Sequence, residues 1–423
     1  MSHPFSSWRE SRLAKAVAKS LITPVRWLLT GVSFVCRAVI ALWVSLAVYY
    51  SNLPWPWLRL ALALVFASFS IWALWLARSR RALLLFVGLF LCVLVWWTSI
   101  RPTHNRPWRP EVAAMPRAFI DDDRVRITGV RDFDYRSRQD FTVRYREREV
   151  SISHLTSIDF FVSYFLAGPV AHTFLSFNFD NAPPLCISIE TRPEVGKGFA
   201  PVASLFKQFE LIYIVGDERD LVRVRTNFRG EDVYLYHIRT TPDRARRLFR
   251  VYLDRINELA DRPEFYNLLT NSCTINIVRY ARVAGKVSRF DFRYILNGFV
   301  DDYLYCVGLV DTALPFDQLR PRSKINDAAQ TADDAPDFSQ RIRAAIPPRQ
   351  SSAAASAAFE ESSSRRPLPP DALTCARSRC APARKLACQA PPALWPGHRG
   401  PPQSPNPAFA CKGRGAEERS TET

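Results

Sequence analysis

The chain has 423 residues and a formal net charge of +17. Residues 1–100 hold 10 Lys and Arg against 1 acidic residue, and residues 341–423 hold 13 against 6. The middle region, 101–340, therefore holds the remaining 34 basic and 33 acidic residues, a balance of +1. A folded region with so little net charge offers no electrostatic surface for a polyanion, which excludes nucleic acid as an expected partner.

Three apolar blocks occupy the first hundred residues, at 27–50, 57–77 and 82–100. Each approaches the ~20 residues that a helix needs to cross a bilayer. Aromatic residues gather at the block ends, where amphipathic rings favour the headgroup level. Arg37 lies inside the first block, and a mid-span arginine costs roughly 2.5–3.5 kcal/mol, so an interfacial or re-entrant helix is the alternative there. The prediction is three transmembrane helices over 27–100.

Basic residues predict the orientation of these helices. Five of them lie between residues 9 and 26, and Arg78, Arg80 and Arg81 separate the second and third blocks. Only Arg59 flanks the turn between the first and second blocks. Because short basic segments stay in the cytoplasm, we expect a cytoplasmic N-terminus at 1–26 and everything after residue 100 on the outer side of the membrane.

After a juxtamembrane linker at 101–117, which is rich in Pro and Arg, residues 118–327 have the pattern of a folded domain. Period-two alternation predicts strands at 125–130 and 141–146, a β-hairpin at 171–191, and further strands at 210–215, 222–226 and 233–238. Helical spacing predicts helices at 155–166, 241–260 and 273–284. Strands followed by helices indicate an α+β domain. With the three predicted spans, the expected fold class is a membrane-anchored α+β protein.

The C-terminal segment, 328–423, has a different composition. Residues 341–423 contain 13 of the 31 prolines and almost no apolar periodicity. Such a segment cannot bury enough apolar surface to offset the entropy of ordering, so we expect it to be disordered. Its four cysteines lack histidines at zinc-finger spacing, and no metal site is expected there.

One cysteine of the folded region stands where a thiol can be reactive. Cys273 lies at the start of the last predicted helix, where Ser272 or Asn271 can occupy the N-cap. The free N–H groups and the macrodipole of a helix N-terminus favour a thiolate. The alternative is a buried and inert cysteine near a helix cap.

A thiolate nucleophile needs a base, and His172 begins the first strand of the predicted hairpin. With the turn centred near Asn181, residues whose numbers sum to about 362 face each other, which pairs His172 with Glu190. A carboxylate at that position could hold the imidazole in the tautomer that catalysis needs. The alternatives are an ordinary polar strand residue for His172, and a surface ion pair with Arg192 or Arg219 for Glu190.

Several segments together resemble the extracytoplasmic domain of the Lnb family, the lipoprotein intramolecular transacylases, over about half of the chain. They are AHTFLSF at 171–177, SIETR at 188–192, ELIYIV at 210–215, DERD at 217–220, VYLY at 233–236, FYN at 265–267 and NSCT at 271–274. The family's domain is similar to circularly permuted NlpC-type papain folds, in which the histidine strand precedes the cysteine helix. The resemblance implies a nucleophile at Cys273, a base at His172 and Glu190 as the third member, without a cofactor or a metal.

The function implied by the resemblance is transfer or hydrolysis of acyl groups. The substrates would be lipoprotein or membrane-lipid esters, attacked through a thioester at Cys273 by a domain on the periplasmic side of a bacterial inner membrane. Arg192, Arg219 and Arg225 are candidates for headgroup binding, with ion pairs to neighbouring acidic residues as the alternative. Asn271, beside the nucleophile, is the fourth candidate for substrate binding.

Two other functions remain open on the sequence. One is a cell-wall amidase or peptidase, which NlpC-type folds often are, although the spans and the lack of wall-binding repeats count against it. The other is a non-catalytic domain that binds lipids or proteins of the envelope. The oligomeric state is not predictable from the sequence.

Overall fold

A computed structural model describes residues 5–165, 168–285 and 291–349. Three helices begin the chain: α1 (Phe5–Tyr49), α2 (Pro56–Ile71), which continues as a π-helical turn over Trp72–Leu76, and α3 (Arg80–Ser99). The segments Pro24–Tyr49, Pro56–Leu76 and Arg80–Ser99 are long and apolar enough to cross a membrane. The prediction of three N-terminal apolar helices is confirmed.

Arg37 has a polar partner on the second membrane helix. Its guanidinium donates a hydrogen bond to the C=O of Leu74, 2.9 Å away, in the π-helical turn that ends the second span. The last carbonyls of a helix lack partners within the helix. The contact therefore lowers the cost of holding Arg37 within the first span.

The domain is built on one eight-stranded sheet with the order β1-β2-β9-β8-β7-β6-β10, in which β5 also pairs with β2. Its strands are β1 (Arg117–Asp121), β2 (Arg124–Arg131), β5 (Tyr145–Ser151), β6 (Leu155–Tyr164), β7 (His172–Phe179), β8 (Leu185–Arg192), β9 (Glu210–Gly216) and β10 (Asp232–His237), while β3 (Asp134–Tyr135) and β4 (Phe141–Thr142) form a separate hairpin. Nearly all pairings are antiparallel, and β2 with β9 is parallel. The expected fold class, a membrane-anchored α+β protein, is confirmed, whereas the papain-like character stays a prediction.

Two expected elements were wrong. Residues 155–166 were expected to form a helix, but 155–164 form β6, a central strand between β7 and β10. Both faces of β6 are covered, so Phe160, Phe161 and Val162 are all buried and the strand shows no period-two pattern. Residues 222–226 were expected to form a strand, but the chain forms the short helix α4 (Glu218–Leu221) and a π-helical turn over Val224–Phe228.

Helices cover both faces of the sheet. On one face lie α5 (Pro242–Asp261) and α6 (Cys273–Val283), and aromatic residues such as Phe177 and Phe249 pack between sheet and helix. The helices α7 (Val300–Cys306) and α8 (Phe316–Ser323) follow along the chain.

The other face is covered by a C-terminal segment that was expected to be disordered. Within 328–349, part of α9 (Asn326–Ala332) and all of α10 (Phe338–Arg341) pack their apolar side chains beside Phe161 and Phe174 of the sheet. The expectation was wrong for 328–349. The larger apolar residues of this segment, Phe338, Ile342 and Ile346, are buried against one sheet face. Arg343 and Arg349 reach the buried carboxylate of Asp159, and Arg343 also reaches that of Glu218. The rest of the expected tail, 350–423, lies outside the described residues.

Candidate active site

A cavity of about 340 Å³ opens between the β7–β8 hairpin and the N-terminus of α6. Its walls include His172, Glu190, Arg225, Tyr266 and Cys273. The hairpin supplies the histidine and the glutamate, while the start of α6 supplies the cysteine. The three residues of the expected triad therefore line one cavity; their catalytic role stays a prediction.

The Cys273 thiol is free and buried, with 2% of the residue exposed. Burial alone would raise the pKa of the thiol, but the imidazole of His172 and hydrogen bonds from Thr173 lower it to about 6. Ser272 occupies the N-cap position of α6, yet its side chain makes no capping hydrogen bond. The N–H groups of the first turn are thus not capped by that side chain, and the thiolate sits at the positive end of the helix.

The hairpin has the register predicted from the sequence. Phe174 is paired with Ser188, so that the residue numbers sum to 362. Two residues nearer the open end of the hairpin, His172 and Glu190 lie side by side, with 3.8 Å between Nε2 and Oε1. This distance is too long for a direct hydrogen bond.

Ser188 bridges the histidine and the glutamate. Its Oγ lies 2.7 Å from Nε2 of His172 and donates to Oε1 of Glu190 at 2.8 Å. An ionised carboxylate only accepts hydrogen bonds, so the hydroxyl proton of Ser188 points toward Glu190. The Ser188 oxygen must then accept from Nε2–H of His172. In the neutral ring this leaves the lone pair on Nδ1, the nitrogen that is free to face the thiol.

Arg225 keeps the glutamate ionised. Its NH2 donates to Oε1 of Glu190 at 2.5 Å, and its guanidinium lies 4.8 Å above the ring of Phe174. Burial raises the pKa of Glu190, but the charge of Arg225, with a smaller contribution from His172, outweighs burial and holds that pKa well below its usual range. Arg225 was expected to bind substrate headgroups, whereas in this structure its charge is already paired inside the wall of the cavity.

Two polar residues near the sulfur, Tyr266 and Asn297, were not singled out from the sequence, and neither was Ser188. The hydroxyl of Tyr266 reaches the backbone N–H and the thiol of Cys273, and burial raises the pKa of Tyr266 well above its usual value, so it remains a donor. Asn297 Nδ2 lies 3.8 Å from the sulfur and donates to Oγ1 of Thr274 at 2.9 Å. Period-two spacing with Glu190 could have indicated Ser188, but no sequence pattern marks Asn297.

The other expected substrate-binding residues lie outside the cavity wall. Arg192 donates to the carbonyls of Val112 and Ala113 and stacks on the ring of Trp108, so it ties the juxtamembrane segment to the sheet. Arg219 is exposed on α4. Neither arginine lines the cavity, and the role predicted for them in headgroup binding stays a prediction.

Asn271, the fourth candidate for substrate binding, also lies outside the cavity wall. It bonds to Glu264, to the C=O of Phe265 and to Asn276, which shapes the loop before α6. Its role in substrate binding stays a prediction. Among the described residues, no group of three or more His, Cys, Asp or Glu side chains could hold a metal ion.

These features define a class: a membrane-anchored α+β domain with a cavity that holds a free thiol beside an imidazole. Residues 141–301 match the family model described as the Lnb N-terminal periplasmic domain, so this part of the chain is similar to that domain. The domain that this model describes is periplasmic, in agreement with the orientation expected from the basic residues. The matched residues include His172, Glu190 and Cys273. No curated protein and no solved structure matches the chain.

Proposed function

We propose that the protein is a membrane-bound thiol acyltransferase or acyl hydrolase that acts on lipoprotein or membrane-lipid esters. The observation that carries the proposal is the buried thiol of Cys273, whose pKa of about 6 makes it a thiolate at neutral pH, beside His172. A merely structural buried cysteine would have a raised pKa. Cys186 is an example in this chain, because burial raises the pKa of its thiol well above the usual value.

In the first step, the thiolate of Cys273 attacks the ester carbonyl carbon and forms a tetrahedral oxyanion. Two hydrogen-bond donors beside the sulfur, the backbone N–H of Cys273 and the hydroxyl of Tyr266, can stabilise this oxyanion. The C–O bond of the ester then breaks, and the leaving alkoxide takes a proton from the imidazolium of His172. The products of this step are an acyl thioester on Cys273 and a free alcohol.

In the second step, an amine or water attacks the thioester. Neutral His172 accepts the proton of the attacking group through Nδ1, and the C–S bond breaks to release the thiolate of Cys273. An amine, such as the N-terminus of a lipoprotein, yields an amide, whereas water yields a free fatty acid. Glu190, through Ser188, stabilises the imidazolium that is present before the first proton transfer and forms again after the second.

The three spans support a lipid ester rather than a soluble cell-wall peptide as the substrate. Pulling an acyl chain out of a bilayer costs about 0.8 kcal/mol per CH₂. An enzyme that is held at the membrane surface can reach such substrates without the free-energy cost of pulling the whole acyl chain into water. A peptidase for the wall has no comparable need for three apolar helices.

The test is mass spectrometry of lipoproteins and of the protein itself from cells that produce the wild type, Cys273→Ala or Cys186→Ala. We expect a changed lipoprotein acyl pattern and an acyl adduct on Cys273 with the wild type and with Cys186→Ala, and neither with Cys273→Ala. Cys186 is the matched control because it is also a free, buried thiol. The same acyl pattern in all three strains would exclude the transacylase proposal.

A further inference from the structure

One loop of the domain connects the cavity with the outer ends of the membrane helices. Gly198 and Phe199 line the cavity. Only a few residues later, the ring of Phe206 stacks on Tyr50 at the end of α1, with 5.4 Å between ring centroids. Gln208 then donates to the C=O of Tyr50 at 2.6 Å. The chain between cavity wall and membrane helix is therefore less than ten residues long.

Lys207 adds specific polar contacts between this loop and the end of α3. Its ammonium donates to the carbonyls of Trp97 and Ile100 at 2.9 and 3.0 Å, where α3 ends. It also lies 4.4 Å from the ring of Trp97. A cation at a helix C-terminus is favourable because the last carbonyls lack partners. The backbone of Lys207 has a φ of 56°, a left-handed conformation that side chains disfavour, and the lysine is placed there nonetheless.

A second segment, at residues 265–268, also connects the region of Lys207 with the cavity. The ring of Phe265 lies 5.5 Å from the ammonium of Lys207, and Leu268, three residues further, lines the cavity. Two separate stretches of chain thus lead from the ends of the spans to the cavity. This side of the cavity wall is therefore joined by short stretches of chain to residues at the ends of the spans.

Large apolar side chains are exposed on these two stretches. Val195, Phe199 and Val202 are 64%, 40% and 45% exposed, and Leu269 beside the cavity is 47% exposed. Single exposed apolar residues occur on every protein surface. Phe199 and Val202 lie on the stretch that joins the cavity wall to Phe206, and Val195 and Leu269 stand next in the chain to residues near or in that wall. Apolar side chains at such positions can be covered by the headgroup and acyl region of the outer leaflet.

We propose that residues 195–202 together with Leu269 form a membrane-inserted lip, whose occupant is the outer leaflet of the bilayer. Phospholipid acyl chains contact the lip, and through it one acyl chain reaches the thiol of Cys273 without leaving an apolar environment. The insertion into the leaflet does not depend on the proposed function, whereas the entry of the acyl chain rests on it.

The insertion is tested with a photoreactive benzoylphenylalanine in place of Phe199 or of Val202. The full-length protein is reconstituted in vesicles of phosphatidylethanolamine and phosphatidylglycerol. The matched control places the same group at Val283, which is 68% exposed at the far end of α6. We expect at least about tenfold more lipid adduct at 199 and 202 than at 283 by mass spectrometry. Equal yields at the three positions would overturn the insertion.

The entry of the chain is tested with the double variant Val195→Asp and Val202→Asp in the same vesicles. Acylation of Cys273 from the lipid should fall about tenfold or more, because a charge in the acyl region is strongly disfavoured. Alkylation of Cys273 by iodoacetamide, which arrives from water, should change less than twofold. Val283→Asp should leave both rates unchanged.

Each result decides a different claim. Equal loss of both reactions in the double variant would mean that the loop shapes the site, and would overturn the entry of the chain through the lip. If the wild type is never acylated while lipid adducts form at 199 and 202, the proposed function fails and the inserted lip remains.

Discussion

The Nε2 atom of His172 and the Oγ atom of Ser188 lie 2.7 Å apart, and this contact sets the tautomer of the imidazole. Ser188 donates its only proton to the carboxylate of Glu190, so it can only accept from the histidine. A serine relay has a consequence that direct contact would not have. The electrostatic support of the histidine depends on a hydroxyl group that takes no part in the bond changes.

The first prediction concerns Ser188→Ala. Removal of the hydroxyl breaks the link between Glu190 and His172 and destabilises the imidazolium that pairs with the thiolate of Cys273. A hydrogen bond to a charged group is worth about 1.5–3 kcal/mol, so the thiolate fraction at a fixed acid pH should fall about tenfold or more. The rate of alkylation of Cys273 by iodoacetamide measures that fraction, and the midpoint of its pH profile should move upward.

Ser188→Thr is the conservative control, because threonine keeps the Oγ at the same position on the strand. It should retain a profile close to that of the wild type. If Ser188→Ala leaves the pH profile where it was, the relay does not act on the thiol.

The second prediction is the pH dependence of Cys273 itself. With a pKa of about 6, the thiolate is the main form at neutral pH, and alkylation should decline only as the pH falls through about 6. In His172→Ala the burial of the thiol remains while its largest stabilising partner is lost, so the midpoint should move above the usual value for a cysteine. Peptide mapping separates Cys273 from Cys186, whose pKa burial raises. A midpoint that His172→Ala does not move would contradict the pairing.

The third prediction concerns Arg225, which is 2% exposed as a side chain and pairs with Glu190. Arg225→Ala leaves a largely buried carboxylate without its cation, which typically costs about 3–5 kcal/mol of unfolding free energy. Because the pKa of Glu190 is lowered in the folded state, the pair stabilises the protein above the usual pKa of a glutamate. That stability is lost as the pH falls toward the lowered value.

Chemical denaturation of the full-length protein in detergent, at neutral and at acid pH, measures this contribution. The double variant Arg225→Leu with Glu190→Gln should recover part of the loss, since it removes both charges. Equal stability of wild type and Arg225→Ala at neutral pH would show that the pair is not needed for stability.

The fourth prediction concerns the segment 326–349, which packs on the sheet face opposite α5 and α6. Arg343 reaches Asp159 and Glu218 at 2.8 and 2.5 Å, and both carboxylates are fully buried. Arg343→Ala should therefore lower the unfolding free energy by about 3–5 kcal/mol. Thermal unfolding in detergent is a suitable measurement.

Arg341, two residues earlier, is the matched control. It forms an exposed pair with Asp337 on α10, and such surface pairs contribute little because water screens them. Arg341→Ala should therefore unfold like the wild type. If the two variants unfold alike, the segment adds little to the stability of the sheet.

The membrane helices were predictable because their signal is local. A span needs only enough consecutive apolar residues, and the distribution of basic residues sets the side of the membrane. The hairpin of His172 and Glu190 was predictable for a similar reason. A Pro-containing turn at 180–184 and period-two alternation on both sides define which residues face each other, and the pairing of Phe174 with Ser188 follows that register.

The strand β6 and the C-terminal segment were not predictable from local patterns. β6 is buried on both faces by α5 on one side and the C-terminal helices on the other, so the alternation that marks a strand is absent. The segment 328–349 has a composition typical of disorder, but Arg343 meets two carboxylates that lie more than a hundred residues earlier in the chain. No window of sequence contains both partners.

The candidate site divides in the same way. The sequence by itself determined that a cysteine begins a helix, that a histidine and a glutamate face each other on a hairpin, and that membrane helices precede them. Only the tertiary structure decided that Ser188 links that histidine to that glutamate, that Arg225 holds the glutamate ionised, and that Arg192 and Arg219 lie elsewhere. The physical reason is how far apart the interacting residues lie along the sequence. Helix starts and hairpin registers depend on neighbouring residues. Burial, pKa values and ion pairs depend on which distant segments the fold brings into contact.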